Sequence, residues 1–271
     1  MHNKTLAIRD AKINVVDSGQ GSPVLLVHGF PLNQSMWEFQ ILEFAKTHRV
    51  ICPDLAGFGL SQCDEPRIDL RSHAQDLTDT LDALNIQEPV VFCGLSMGGY
   101  IGWEFWKQYP EKISGMIACN TRAANDSLEV ARGRRIAAKS IFKTGTQILA
   151  QQMAPRLLYR DPQGRKKQIQ SNVEKIIEST LPDSIAAGQL AMSNRPDATS
   201  WLPTIDCPAL FIGGEYDEIT TTREMTSNAA LLPHAQFIEI KKAGHLTPLE
   251  QPESFNHHVL EFLNANRFCQ H

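Results

Sequence analysis

Residues 90–102 read V-V-F-C-G-L-S-M-G-G-Y-I-G, and no other stretch restricts the fold as much. An apolar run ends in glycine, one serine stands among three more glycines, and an apolar pattern resumes with Tyr100, Trp103, Phe105 and Trp106. A run without alternation suits a strand buried on both faces, and the aromatic stretch suits a helix packed on that strand. The join between them must be a sharp strand-to-helix turn, where a Cβ at the positions flanking the serine would clash.

The same strand–helix rhythm recurs along the chain. Apolar runs lie at 24–28 (V-L-L-V-H), 50–52 (V-I-C), 113–119 (I-S-G-M-I-A-C), 209–213 (A-L-F-I-G) and 237–240 (F-I-E-I). Helical stripes separate them, one formed by Trp37, Ile41, Leu42 and Phe44–Ala45, another by Leu77, Leu81 and Leu84. Such alternation predicts an α/β protein with a right-handed, mostly parallel sheet. The segments around 5–9 and 13–17 suit an antiparallel hairpin at its edge. Between 122 and 198 the rhythm stops: V-A-R-G-R-R-I-A-A-K-S-I-F, I-L-A-Q-Q-M-A and V-E-K-I-I-E-S-T-L read as helices, with no strand-like run. The expected organisation is a core of 1–121 and 199–271 interrupted by a helical insertion, 122–198. That insertion carries 13 of the 26 Lys/Arg but only 7 of the 30 Asp/Glu, so a basic unit sits on an acidic body.

Composition narrows the function classes. Hydrophobic residues are 42% and charged residues 21%, as in ordinary globular domains. A net charge of −4 makes nucleic acid no default partner. No window approaches the roughly 20 apolar residues a membrane span needs, and the start M-H-N-K-T-L-A-I-R-D lacks the apolar core of a signal peptide. The six cysteines, Cys52, Cys63, Cys93, Cys119, Cys207 and Cys269, show neither C-x-x-C pairing nor zinc-ligand spacing. Cys52, Cys93 and Cys119 fall in or at the end of apolar runs and read as core residues. The expectation is a reduced, cytoplasmic protein without metal or cofactor.

Gly94-Leu95-Ser96-Met97-Gly98 matches G-x-S-x-G, a pattern whose turn lifts a serine hydroxyl off the carboxyl edge of a sheet. Serine attacks only when a base removes its proton and a third group orients that base. Of nine histidines, His245 stands out in K-K-A-G-H-L-T-P-L-E-Q-P, a loop after the run F-I-E-I, where α/β sheets build their sites. His48 and His73 read as residues of polar helix faces, His234 as a turn residue, and His257, His258 and His271 as residues in or beyond the last helix. The acid is sought in G-G-E-Y-D-E-I-T after A-L-F-I, where Asp217 is the expected partner of His245, with Glu215 and Glu218 facing solvent or capping a helix. The other strand end, Asn120-Thr121, has no carboxylate. An oxyanion needs two donors. Met97, after the serine, supplies one amide, and Phe30, in V-H-G-F-P, the other, since Pro31 has no N–H. His28 reads as structural, bonding loop backbone.

H-G-F-P, P-D-L-A-G-F-G-L-S at 53–61, G-L-S-M-G-G, G-E-Y-D-E-I-T and A-G-H-L-T-P-L-E-Q-P stand in one order, and in this the chain resembles the α/β-hydrolase superfamily. The resemblance spans nearly everything outside 122–198. It implies the α/β-hydrolase fold with a helical cap or lid over the site, Ser96 as nucleophile, Asp217 as acid, His245 as base, and the Phe30 and Met97 amides as oxyanion hole.

Single residues separate the branches. Haloalkane dehalogenases carry aspartate where Ser96 stands, and proline iminopeptidases usually have H-G-G-P-G where this chain has H-G-F-P-L. H-G-F-P-L-N-Q-S-M-W with P-D-L-A-G-F-G-L-S is most similar to small carboxylesterases, enol-lactonases and carrier-protein methyl ester esterases. The implied activity is hydrolysis of a carboxylic ester or lactone in a small molecule. Carbon–carbon hydrolases, perhydrolases, aminopeptidases and slow-turnover ligand sensors share the site. Arg122, Arg132, Arg134, Arg135, Lys139 and Lys143 of the insertion raise an anionic substrate or an acidic carrier protein as partners, against the plainer reading of solvated helix faces.

Overall fold

The computed structural model describes residues 2–161, 163–164, 166–266 and 268; Cys269 and His271 lie outside them. The strands are β1 (His2–Ile8), β2 (Ala11–Ser18), β3 (Pro23–Val27), β4 (Arg49–Pro53), the two-residue β5 (Gln62–Cys63), β6 (Val90–Leu95), β7 (Ile113–Cys119), β8 (Ala209–Gly214) and β9 (Ala235–Ile240). They form one sheet in the order β1-β2-β4-β3-β6-β7-β8-β9, with β5 on the far end of β2. From β4 to β9 in that order all pairs are parallel, and β1–β2–β4 is antiparallel. The fold class and the edge hairpin therefore stand as read from the sequence.

Helices α1 (Glu38–Phe44), α2 (Leu70–Ala83) and α3 (Met97–Gln108) follow β3, β5 and β6. Between β7 and β8 come α4 (Leu128–Leu157), α5 (Lys167–Ser179) and α6 (Pro182–Ser193); α7 (Thr222–Ala229), α8 (Thr247–Glu250) and α9 (Pro252–Asn266) complete the chain. Every residue of β3, β6 and β8 is buried, because helices cover both faces. Alternate residues serve different layers. Val24 and Leu26 pack with Trp37, Ile41, Phe44, Phe255 and Val259, whereas Leu25 and Val27 pack with Leu77, Leu81, Ile101 and Phe105. A parallel sheet with two covered faces has little use for polar alternation. Apolar runs were therefore legible as strands, while β5, too short for any run, was not.

Four expectations change. The first two helical stretches of the insertion share α4, which is broken at Gly145 (φ +77°), and α6 was not foreseen. Leu42 belongs to no buried stripe; it is 58% exposed on the outside of α1. His73 is on no polar face. It is fully buried against Phe58, with neither ring nitrogen bonded to a described group. His48 follows α1 and is also buried, its Nδ1 at 2.9 Å from Thr47 Oγ1.

Burial, with smaller contributions from His28 and Arg67, pushes the His73 pKa down to about 3. A histidine that stays neutral when folded costs nothing above its unfolded pKa of about 6.5. Below that pH the unfolded chain takes a proton that the folded one refuses, so stability falls from about 6.5 towards 3. His73→Leu should flatten that acid-side loss. Urea midpoints from pH 7 to pH 4 should diverge in favour of the variant as pH falls, and parallel curves would contradict the burial of a neutral ring.

Candidate active site

Ser96 sits between β6 and α3 at φ +54°, ψ −112°, a backbone conformation that costs a non-glycine residue energy. Four bonds hold it there. Its N–H donates to Cys119 O on the neighbouring strand, and its carbonyl accepts from Gly99 N–H, Tyr100 N–H and, at 2.8 Å, Thr121 Oγ1. The flanking glycines are steric necessities. A Cβ on Gly94 would lie 2.4 Å from Gly98 O, and one on Gly98 would lie 2.3 Å from Val27 O. Ser96 keeps partial exposure amid buried neighbours.

The loop after β3 comes up beside it. A Cβ on Gly29 would lie 2.9 Å from Leu95 Cδ2 and 3.2 Å from Leu95 O, so the loop presses on the residue before the serine with little room for a side chain. The Phe30–Pro31 bond is cis. Among the described residues, neither Phe30 N–H nor Met97 N–H donates to a group of the chain. Both are backbone donors left over next to the serine turn. His28 holds the loop from below: its Nδ1–H donates to Gly29 O at 2.9 Å and its Nε2 accepts Leu55 N–H at 3.0 Å. Burial lowers its pKa, in accord with a neutral ring. The structural reading of His28 is met. Motif P-D-L-A-G-F-G-L-S acquires a reason too, because buried Asp54 accepts from Gln34 N–H, Leu60 N–H and Asn14 Nδ2 and so ties two loops to the sheet edge.

Asp217 and His245 meet as expected. The imidazole Nδ1–H donates to Asp217 Oδ2 at 2.8 Å, both side chains being buried, which leaves Nε2 as the free lone pair. Asp217 also accepts Ile219 N–H, Thr220 N–H, Thr220 Oγ1 and Asn120 Nδ2. Burial alone would raise its pKa. His245 beside it and the hydrogen bonds from Thr220 and Asn120 outweigh that and hold the carboxyl well below its usual range. Glu215 accepts Lys242 N–H and Glu218 is exposed, so neither competes.

Asn120 is the residue that sequence reasoning passed over. It follows Cys119, whose carbonyl holds Ser96, and takes φ +45°. Its Nδ2 donates to Asp217 Oδ2 (2.9 Å) and Gly244 O (3.3 Å), and its Oδ1 accepts Thr247 Oγ1 (2.7 Å). One side chain thus joins the ends of β7 and β8 to the His245 loop. Only its place at a strand end signals this, and an amide there lacks the charge that marks a triad acid.

The basic residues of the insertion are less free than their number promised. Arg122 pairs with Glu224, Arg134 with Asp126 and Gln189, and Arg135 with Asn194. Arg132, Lys139 and Lys143 are exposed.

The family model for the alpha/beta hydrolase fold matches residues 22–252, and the chain belongs to that family. A thermophilic esterase from Thermogutta terrifontis, solved with malate bound, superposes with a TM-score of 0.94 at 36% identity, covering 98% of this chain and 99% of that one. The enol-lactonase of Burkholderia xenovorans gives a TM-score of 0.89 at 25% identity, with 96% and 100% covered. By sequence, 3-oxoadipate enol-lactonase 2 of Acinetobacter baylyi is 29% identical over 260 residues, 94% of each chain. No helix among the described residues is long and apolar enough to cross a membrane.

The serine turn should tolerate no added carbon. Gly98→Ala forces a methyl against the carbonyls of Val27 and His28 and should cost about 2 kcal/mol or more. A denaturation midpoint equal to that of the parent chain would contradict so close an approach.

Proposed function

We propose that this chain, a hydrolase acting on ester bonds, cleaves a small carboxylic ester or lactone through an acyl-enzyme on Ser96. One observation carries the reading: a buried Asp217–His245 pair, bonded through Nδ1, stands at the same sheet edge as a serine on a positive-φ turn. The free Nε2 of His245 takes the Ser96 proton as Oγ attacks the carbonyl carbon. Asp217 keeps the imidazole in that tautomer and stabilises the imidazolium. The oxyanion is met by Phe30 and Met97 N–H, neither of which donates to another group among the described residues. His245 then protonates the leaving alcohol, and a water deprotonated by the same nitrogen releases the acid.

Residues 122–198 act in this reading as a cap on the 1–121 and 199–271 core. Gly188 on α6 supports it, since a Cβ there would lie 2.7 Å from Phe30 and 3.3 Å from Phe58. The insertion is therefore packed directly on the oxyanion loop. With Arg122 and Arg134 paired to carboxylates inside the chain, a neutral or singly charged small ester is favoured over an acidic carrier protein.

Ser96→Ala should lower kcat/KM for p-nitrophenyl esters at least ~10⁴-fold while leaving the melting temperature unchanged. Asp217→Asn should lower kcat by a factor on the order of 10³ to 10⁴, because an amide no longer fixes the imidazole tautomer. Turnover surviving in Ser96→Ala would overturn the assignment. Running each acyl length in neutral and terminally carboxylated form at two salt concentrations reports whether the exposed Arg132, Lys139 and Lys143 select charge: a carboxylated preference that fades with salt would mean that they do.

A further inference from the structure

Glu250 lies in the sequence motif around His245, yet the chemistry above makes no use of it. Its side chain is fully buried. Oε1 accepts Gly244 N–H at 2.8 Å, from the residue immediately before His245. Oε2 accepts Tyr159 N–H at 2.8 Å and Lys166 Nζ at 2.5 Å, both from the helical insertion. Lys166 Nζ also donates to Lys242 O at 2.7 Å, and His245 N–H itself donates to Leu157 O at 2.9 Å. The two backbones touch: a Cβ on Gly244 would lie 2.6 Å from Tyr159 N. On the acid side, Tyr216 stacks on Tyr159 with ring centroids 4.4 Å apart.

We infer that Glu250 is a positioning residue: by clamping the 242–245 loop to the 157–166 segment of the insertion, it sets the backbone from which His245 reaches Ser96. This rests on the serine-hydrolase reading above. Stability alone is a poor reason for the arrangement. A buried ion pair is often replaceable by apolar residues of similar size at no loss, because desolvation offsets the attraction. What an apolar residue cannot do is accept three donors that arrive from two loops. The carboxylate is the common acceptor that makes the insertion and the base loop one unit. Alignment of His245 then depends on the insertion being seated, although no residue of the insertion takes part in the chemistry.

Glu250→Gln tests this. The amide keeps the size and one acceptor, but points its NH₂ at Tyr159 N–H or at the Lys166 ammonium. The measurement pairs steady-state kinetics on a p-nitrophenyl ester with the rate constant for phosphonylation of Ser96 by a fluorophosphonate, the labelled residue being identified by mass spectrometry. The expected result is a kcat at least about tenfold lower with KM within about threefold of the parent, and a phosphonylation rate constant lowered in step, since small displacements of catalytic groups cost rate rather than binding. A merely structural role would shrink the labelled fraction and leave its rate constant unchanged; that result overturns the inference. Lys166→Met, which removes only the cation from the less buried end of the clamp, should lower the same rate constant about threefold. It carries the test if the Gln variant does not fold, and a parental rate constant in Lys166→Met then overturns the inference. The parent chain and Ser96→Ala keep the two ideas apart. A parent that is not phosphonylated at Ser96 would sink the hydrolase reading and this inference with it, whereas a labelled parent with unaltered clamp variants would sink the clamp alone.

Discussion

The site depends first on how closely the turn at 94–99 can approach the strand beside it. Gly98 lies almost in contact with the carbonyl of Val27, and Gly94 with that of Gly98. With no room for a Cβ at either place, the chain leaves β6 and enters α3 within one residue. That residue is forced to positive φ with its side chain directed away from the packed backbone. The strain at Ser96 is held by bonds to Cys119 and Thr121, so the cost is met at the end of β7, the strand whose following residue, Asn120, reaches Asp217. It is a property of the sheet rather than of the pentapeptide.

Around this turn, buried polar side chains act as ties between loops. Asp54 and His28 fix the loop that carries Phe30, and Asn120 joins the ends of β7 and β8 to the His245 loop. Each is buried with both of its polar side-chain atoms hydrogen-bonded. At such positions a missing partner would leave a desolvated polar group at a cost of about 1–3 kcal/mol. Loops at the carboxyl edge of a parallel sheet share no ladder with one another, so these ties do for them what ladder bonds do for strands.

The helices between β7 and β8 join the same web from above. Their charge, conspicuous in the sequence, is spent in part on internal pairs: Asp126 alone engages both Arg134 and Arg195. Tyr159 and Lys166 reach the Glu250 carboxylate beneath the His245 loop, while Gly188 rests on Phe30. The insertion therefore touches both the loop that carries Phe30 and the loop that carries His245.

Much of this was legible in the sequence for physical reasons. A strand covered on both faces must be apolar throughout, so five parallel strands could be located from runs alone, and the part-buried edge strand β9 from the shorter run F-I-E-I. A turn without space for Cβ must be glycine, so the serine turn announced itself. The order of Ser96, Asp217 and His245 followed from their places after strands. What the sequence could not determine was every relation that depends on which loops become neighbours. Nothing local sets Asn120 and Glu250 apart, because their partners lie up to 127 and 91 residues away along the chain. His73 read as a surface residue, since nothing local shows that its face of α2 turns inward. Periodicity reports the face of an element and the residues at its ends. Only the packing of one strand end against another decides which polar atoms are brought within 3 Å, and the candidate site is made of those encounters.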